Sequence, residues 1–294
     1  MSYSNFHTHC SYCDGLGQPE EYVRQAIQYG FAAIGFSSHA PLPDSYCWTL
    51  KDAELKEYCH TVRSLGVKYS KAIQVYLGLE IDYIPGTVGK NSDEFRACNL
   101  DYTIGSVHFA VDDQTGRYFN WVESEDSYIW ILKHVFRGDI RAFVGGYYKS
   151  MPNMVREKKP DIIGHFDIIK KNNLSGNYFC EGDDWYKQEV RDTLKEIALS
   201  GCIVEASTAG MARGCMNDLY PSMWILRECR ERNIPIILNS DAHTPKELNA
   251  NFELAVKRLN AVGYFEQSVL SDGTWKQVEL TAAGAKSGQT GQNH

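Results

Sequence analysis

Segments with the pattern of buried parallel strands recur seven times along the chain. Six of them are runs of mostly apolar residues, which are typical of strands covered on both faces of a sheet. In the first segment histidines alternate with other residues, so both histidines project from one side of the strand. The predicted strands lie at 5–9, 32–37, 73–79, 102–107, 160–164, 202–207 and 234–239.

The segments between the predicted strands carry apolar residues at helical spacing. Pro19 stands at the first turn of the first helix, and Gly30 follows its last turn. We expect Gly66 and Gly201 to end later helices in the same way. The predicted helices lie at 19–29, 50–65, 127–159, 183–199, 222–232 and 252–262.

Three stretches of the chain have less regular patterns. The stretch 127–159 predicts one or two helices, broken near Gly138 and at Pro152. The stretch 111–125 predicts a long loop or an antiparallel excursion, and 264–280 predicts a short hairpin. None of these stretches disturbs the alternation of strands and helices.

This alternation predicts an α/β fold built around a parallel barrel. An open doubly wound sheet shares the alternation, but it would carry a glycine-rich phosphate loop after the first strand, and the sequence has none there. Polar residues follow the strands, where the working groups of α/β barrels stand. We predict one domain over 1–280 and a disordered tail over 281–294, which is rich in Gly, Ala, Ser and Gln.

Composition narrows the class of protein. The chain has 294 residues, of which 43% are hydrophobic, and no apolar run approaches the ~20 residues that span a bilayer. Its amino terminus lacks a signal-peptide pattern, so we expect a cytoplasmic protein without a membrane partner. The net charge of −7 argues against a general nucleic-acid surface. Nine scattered cysteines predict reduced thiols, and Cys10 and Cys13 are best interpreted as small apolar side chains.

The residues that follow the predicted strands are candidate metal ligands. His7 and His9 project together, and the Asp14-Gly15 turn can return a carboxylate toward them. Asp82 is expected on the same face as Glu80. Six of the nine histidines occur at such strand ends. The candidate ligands are His7, His9, Asp14, His39, Glu80, His108, His165, Asp241 and His243.

The size and charge of this set predict both the cofactor and the substrate. Nine nitrogen and oxygen ligands exceed the needs of one ion, so we expect two to three divalent ions, and mixed imidazole and carboxylate ligation suits Zn, Fe or Mn. Six neutral imidazoles, three carboxylates and three divalent ions would leave a charge of about +3. Such a centre favours an anion, and phosphate also suits in-line displacement between paired metals.

Motifs that carry a family resemblance are spread over residues 7–243. They are His7-Thr8-His9 with Asp14-Gly15, Ser37-Ser38-His39-Ala40-Pro41, Gly78-Leu79-Glu80-Ile81-Asp82-Tyr83, Gly105-Ser106-Val107-His108, Asp161-Ile162-Ile163-Gly164-His165-Phe166-Asp167 and Ser240-Asp241-Ala242-His243. With these motifs the sequence resembles the PHP (polymerase and histidinol phosphatase) superfamily and, within it, the histidinol-phosphate phosphatases of the PHP type. The resemblance implies a distorted seven-stranded, TIM-like (β/α)7 barrel, the PHP fold.

The resemblance also implies a trinuclear centre and a reaction. The first ion would take His7, His9, Glu80 and Asp241; the second Glu80, His108 and His165; the third Asp14, His39 and His243. The implied reaction is hydrolysis of L-histidinol phosphate to L-histidinol and phosphate in histidine biosynthesis, by attack of a metal-bridging hydroxide on phosphorus.

The resemblance implies further roles for residues around the ions. A metal-bound water, His39 or Asp241 would assist protonation of the leaving alkoxide, and His243 belongs to the same catalytic group. Arginines should clamp the phosphate, with Arg213 as the first candidate and Arg156 as the second.

Three other interpretations fit the same residues. The nearest is a phosphoesterase of the same fold that acts on another phosphomonoester or on nucleotides. Metal-dependent hydrolases of amides or lactones also place histidines at the strand ends of barrels. The third is a metal-binding barrel without catalysis, although a complete ligand set argues against it.

Overall fold

The computed structural model describes residues 3–44, 46–87, 93–112, 114–173 and 176–281. Seven strands form one parallel sheet in the order β1-β2-β3-β4-β7-β8-β9, and the other four form the antiparallel hairpins β5-β6 and β10-β11. The strands are β1 (Ser4–Asn5), β2 (Ala33–Phe36), β3 (Gln74–Asp82), β4 (Tyr102–Ser106), β5 (Phe109–Val111), β6 (Tyr118–Asn120), β7 (Ile162–Ile163), β8 (Ile203–Ser207), β9 (Ile236–Asn239), β10 (Glu266–Ser271) and β11 (Thr274–Glu279).

The sheet curves round so that its first and last strands meet beyond their carboxyl ends. The His9 amide donates to the Ala242 carbonyl at 2.8 Å, and the Ala242 amide donates to the His7 carbonyl at 3.1 Å. Strand β1 is shorter than the predicted strand 5–9, because these bonds to Ala242 replace regular sheet pairing. The predicted seven-stranded α/β barrel is confirmed.

Helices cover the outside of the barrel. They are α1 (Pro19–Gln28), α2 (Leu55–Tyr69), α3 (Asp93–Cys98), α4 (Glu125–His134), α5 (Ile140–Lys158), α6 (Asp184–Ser200), α7 (Ala209–Ala212), α8 (Met223–Glu231) and α9 (Phe252–Ala261), with 3₁₀ turns at Asp52–Glu54, Ile168–Lys170 and Pro245–Glu247. Gly30 and Gly201 end α1 and α6 with positive φ, as predicted. The described helices include none that is long and apolar enough to cross a membrane.

Two predicted helix boundaries were wrong. Helix α2 continues through Gly66 to Tyr69, because Gly66 keeps helical backbone instead of the positive φ with which Gly30 and Gly201 end their helices. Helix α5 continues through Pro152 to Lys158. A proline cannot donate to the carbonyl four residues earlier, but Thr193 Oγ1 donates to that Tyr148 carbonyl at 3.2 Å. The neighbouring helix therefore satisfies the group that Pro152 leaves unpaired.

The inside of the barrel is filled by one layer of apolar side chains. Tyr102 lies at its centre and donates from Oη to the Phe6 carbonyl at 2.5 Å and the Phe36 carbonyl at 3.1 Å. A Cβ at Gly78 would lie 2.5 Å from the Tyr102 ring, so the ring requires glycine at that position. The layer consists of Phe6, Ala33, Tyr76, Tyr102, Ile104, Ile162, Ile203, Ile237 and Leu270.

The hairpin β10-β11 covers the amino end of the barrel, where Leu270 packs in this layer and Trp275 packs against it. It confirms the hairpin predicted over 264–280, with Asp272 and Gly273 in its turn. The stretch 111–125 forms the second strand of the hairpin β5-β6 and the first residue of α4. Of the tail predicted over 281–294, residues 282–294 lie outside the described part of the chain.

Candidate metal centre and active site

Glu80 lies at the centre of the residues that follow the strands. It is buried near the carboxyl end of β3, and its Oε2 lies 3.2 Å from His7 Nε2 and 3.3 Å from His9 Nε2. The same oxygen lies 3.0 Å from His39 Nδ1, and Oε1 lies 2.9 Å from His165 Nε2. The prediction that His7 and His9 project together is therefore confirmed.

Asp241 approaches the cluster from the segment after β9. Its Oδ1 lies 3.1 Å from His9 Nε2 and 3.6 Å from both His7 Nε2 and His243 Nδ1. Asp241 has a φ of 52°, and His165 has a φ of 21°. Residues other than glycine rarely adopt such values, and backbone strain of this kind concentrates at functional sites.

Asp14 and His108 complete the set of predicted ligands. Asp14 Oδ2 lies 3.2 Å from His243 Nε2, and its Oδ1 lies 3.6 Å from His9 Nδ1 and 3.9 Å from His39 Nε2. His108 Nε2 lies 3.3 Å from His165 Nε2. The structure thus brings together all nine residues that the sequence proposed as ligands.

These side chains form four overlapping groups, in each of which the candidate ligand atoms lie within 4.8 Å of one another. None of the four groups coincides with a ligand set that the family resemblance implied. His9 joins the residues expected for the third ion, and His108 and His165, expected on the second ion, fall in different groups. The groups are His9, Asp14, His39 and His243; His7, Glu80 and His165; His7, His9 and Asp241; and His39, Glu80 and His108.

The buried atoms at the centre of the cluster fit divalent ions. His7 Nε2, His9 Nε2 and His39 Nδ1 lie 3.0–3.3 Å from Glu80 Oε2, but none of these four atoms has a partner in hydrogen-bond geometry among the described residues. Buried polar atoms normally have partners, because an unpaired one costs about 1–3 kcal/mol. Imidazole nitrogens and carboxylate oxygens that converge without partners are what Zn, Fe or Mn would bind.

The electrostatics of the cluster also favour cations. Burial lowers the pKa of His7, but the charges of Glu205, Glu80 and Asp241 outweigh burial and raise this pKa to about 10. Burial raises the pKa of Glu80, but His39 and His7 outweigh it and hold that pKa well below its ordinary value. The carboxylates therefore require positive charge nearby, which either protons on the imidazoles or metal ions can supply.

His39 responds differently to the same environment. Burial lowers its pKa to about 3, although Glu80 opposes this shift. Burial therefore favours the neutral imidazole of His39, which is the form that binds a metal.

Two buried carboxylates contact two of the histidines at Nδ1, while Nε2 of each ring points toward the cluster. Glu205 Oε1 lies 2.7 Å from His7 Nδ1, while its Oε2 accepts from the His165 amide at 2.8 Å. Asp82 Oδ1 lies 2.9 Å from His108 Nδ1. Carboxylates in this position fix the ring orientation of metal-binding histidines. The sequence placed Asp82 beside Glu80 but did not single out Glu205, a charged residue within an otherwise apolar strand.

A cavity of about 250 Å³ opens onto the cluster. Two basic residues line it, Arg213 and Lys171. Arg213 Nη2 donates to the Asp241 carbonyl and to His243 Nδ1, both at 2.8 Å, and lies 3.2 Å from Asp241 Oδ2. Lys171 Nζ donates to the Val122 carbonyl at 2.9 Å. Sequence reasoning proposed Arg213 but missed Lys171, since one lysine in a polar stretch gives no signal.

The structure does not support Arg156 as a phosphate ligand. Arg156 lies on α5, where its Nη1 is 3.0 Å from Glu196 Oε2 and its Nη2 donates to Asn153. It lines a separate cavity of about 710 Å³ with Pro160, Gly201 and Pro235, which precede β7, β8 and β9. Arg156 is therefore at the amino ends of the strands, and the prediction is corrected.

Cys10 and Cys13, which follow His9 in the sequence, are free thiols, as are the other seven cysteines. Cys10 is buried and packs in the core, as expected for a small apolar side chain. Cys13 differs from this prediction, because it is partly exposed and its Sγ lies 3.5 Å from His9 Nδ1.

Comparison with known proteins agrees with this geometry. The sequence profile of the PHP domain matches residues 5–209. A probable histidinol-phosphatase of Deinococcus radiodurans is 30% identical over 260 residues, which cover 87% of this chain and 92% of that protein. A histidinol-phosphatase of Bacillus subtilis is 27% identical over 280 residues, covering 86% and 97% of the two chains.

A solved structure shares the fold. The histidinol phosphate phosphatase of Lactococcus lactis, complexed with Zn, L-histidinol and phosphate, superimposes with a TM-score of 0.70. The match is 18% identical in sequence and covers 93% of this chain and 98% of that protein. At 18% sequence identity this similarity shows a shared barrel fold and does not by itself show a shared function. The matched profile, which spans more than half of the sequence, together with the Deinococcus relative, establishes that the chain belongs to the PHP domain family.

Proposed function

We propose that this protein is a metal-dependent phosphomonoesterase that hydrolyses L-histidinol phosphate to L-histidinol and phosphate. The observation that carries the proposal is the cluster of nine ligands, several with unpaired buried atoms, at a cavity that also contains two cationic side chains. Such a site favours a small dianion beside divalent ions. The cavity volume of about 250 Å³ suits a small molecule rather than a polymer.

The nine ligands would hold two to three ions of Zn, Fe or Mn. When bound, these ions would neutralise charge on the phosphoryl oxygens and make a bound water more acidic. Glu80 would contribute to more than one of the ion sites, because it belongs to two of the candidate groups and its two oxygens approach different histidines. Glu205 and Asp82 would keep His7 and His108 in the orientation that ligation requires.

Arg213 and Lys171 would anchor the phosphate. Arg213 is tied to Asp241 and His243, so a phosphate that it binds lies next to the cluster. Guanidinium groups bind phosphate through paired hydrogen bonds, and lysine adds a point charge.

His39, Asp241 and His243 are the proposed groups for proton transfer to the leaving alkoxide. All three line the cavity. The His243 side chain is 22% exposed, compared with 9% for His39 and 6% for Asp241. His243 is therefore the most exposed of the three groups, and it is the first of the three to test.

The relatives support the choice of substrate. Both the Deinococcus and the Bacillus proteins are named for histidinol phosphate hydrolysis, and the Lactococcus protein holds Zn, L-histidinol and phosphate. The same reaction would place this protein in histidine biosynthesis. A cytoplasmic location, which cell fractionation would test, stays part of the proposal.

A phosphate-release assay tests the function. Protein with its metal content measured by elemental analysis is given histidinol phosphate, sugar phosphates, nucleotides and an amide substrate. We expect fastest release from histidinol phosphate and loss of activity after chelation. Faster hydrolysis of another monoester would indicate a different phosphatase, and turnover of the amide alone would indicate an amidohydrolase-like enzyme.

A further inference from the structure

One stretch of the cavity lining has no role in the proposed metal and phosphate sites. It is formed by Asn120, Val122 and Glu123, in the segment that leaves β6. The cavity is also lined by three carboxylates of the metal-binding groups. Among the described lining residues, Glu123 is the one carboxylate outside those groups, so its charge is not needed by the metal ions.

The backbone on both sides of Glu123 is held in place. Lys171 Nζ donates to the Val122 carbonyl at 2.9 Å, and Asn172 Nδ2 donates to the carbonyls of Trp121 and Ser124 at 3.2 and 3.4 Å. The Trp121 amide donates to the carbonyl of the proposed ligand His108 at 3.2 Å. These bonds fix the position of residue 123 relative to the cluster, which is the preorganisation expected of a binding residue.

The Glu123 side chain is exposed, and it makes no hydrogen bond or ion pair with another described residue. Trp48 lines the same cavity and packs edge-on against His39 with 4.6 Å between ring centroids. The cavity therefore offers two cations for a phosphate, an aromatic side chain beside the candidate ligands, and a carboxylate that forms no ion pair with a described cation.

We infer that Glu123 binds a protonated amine on the leaving alcohol, so that the cavity selects phosphomonoesters of amino alcohols. This inference rests on the proposed function and deepens it, because histidinol phosphate carries such an amine. An exposed carboxylate gains from an ammonium group mainly in substrate binding, since the amine takes no part in the displacement at phosphorus.

The test compares Glu123→Gln with the unchanged protein on two substrates, histidinol phosphate and its analogue with hydrogen in place of the amine. We expect KM for histidinol phosphate to rise about three- to tenfold in the variant, with kcat within about twofold. KM for the analogue should not change, and the effect should shrink as salt is raised. Glu125→Gln, a nearby exposed acid that does not line the cavity, serves as the matched control.

The outcomes separate this inference from the proposed function. Equal effects of Glu123→Gln on both substrates, or no effect on either, would overturn the inference while the phosphatase assignment stands. The unchanged protein could instead fail to hydrolyse histidinol phosphate but hydrolyse phosphoethanolamine faster than ethyl phosphate. If Glu123→Gln then removes that preference, the inference stands and the proposed substrate is wrong. No phosphate release from any monoester would overturn both.

Discussion

Carboxylates at the two ends of the barrel have opposite environments. At the amino end, Asp101 accepts hydrogen bonds from Arg63 Nη1 at 2.7 and 2.9 Å and from the Leu77 amide at 2.7 Å. At the carboxyl end, Glu80 Oε1 accepts from Ser106 Oγ, but Oε2 has no hydrogen-bond partner among the described residues and faces three imidazoles. The protein satisfies Asp101 with its own donors, as a structural residue requires, whereas Glu80 Oε2 is suited to an external cation.

The largest difference between the two ends is expected when the charge of Glu80 is removed. Glu80→Gln keeps the size of the side chain but removes the charge that the cluster shares, so we expect metal loss and a fall in kcat of at least ~1000-fold. Elemental analysis and phosphate release measure the two effects. Asp101→Asn is the matched control and should keep its metal and its kcat; equal losses in both variants would contradict the distinction between the two ends.

Two arginines provide the next test. Arg213→Ala should lower kcat/KM by about 100-fold, because a charge-assisted bond to phosphate contributes about 1.5–3 kcal/mol and Arg213 also contacts Asp241. Arg156→Ala should leave kcat/KM unchanged, since Arg156 pairs with Glu196 at the amino end. Steady-state kinetics with histidinol phosphate measure both changes in kcat/KM. A large effect of Arg156→Ala would mean that Arg156 does bind the phosphate.

A smaller effect is expected from the carboxylate behind His7. Glu205→Gln weakens the hold on His7 Nδ1, and loss of such a contact lowers metal affinity by roughly 10- to 100-fold. Competition with a chelator of known affinity measures the change. Activity at saturating metal should recover in large part; a defect that added metal does not reduce would mean that Glu205 acts in another way.

The smallest expected effect comes from breaking the Arg63–Asp101 ion pair at the amino end of the barrel. Arg63→Ala removes a partly exposed ion pair with Asp101 and should lower the free energy of unfolding by about 1 kcal/mol or less. Thermal or urea unfolding measures this change, which should diminish in high salt. Metal content and kcat should match those of the unchanged protein, so any loss of metal in Arg63→Ala would show that the two ends are coupled.

Much of the candidate site could be predicted from the sequence alone, for a physical reason. Parallel strands end at one edge of a barrel, so residues such as His7 and His165, distant in sequence, had to converge if the strands were identified correctly. Buried parallel strands are easy to identify, because both faces are apolar and the run is continuous.

Other features depended on contacts that local pattern does not encode. Pro152 stays within a helix because Thr193 satisfies the freed carbonyl, and that partner comes from another helix. Glu205 occupies an otherwise apolar strand because His7 and the His165 amide lie opposite it. In both cases a local rule fails because the compensating group is distant along the chain.

By itself the sequence determined the barrel and the candidate ligands that gather at its carboxyl end, because periodicity and strand direction are local properties with a fixed geometric consequence. Only the tertiary structure decided which cations face the cavity, separating Arg213 and Lys171 from Arg156, and placed Glu123 in the cavity lining. Long side chains on loops and helices take their position from packing and hydrogen bonds between distant segments, and no short-range pattern records those.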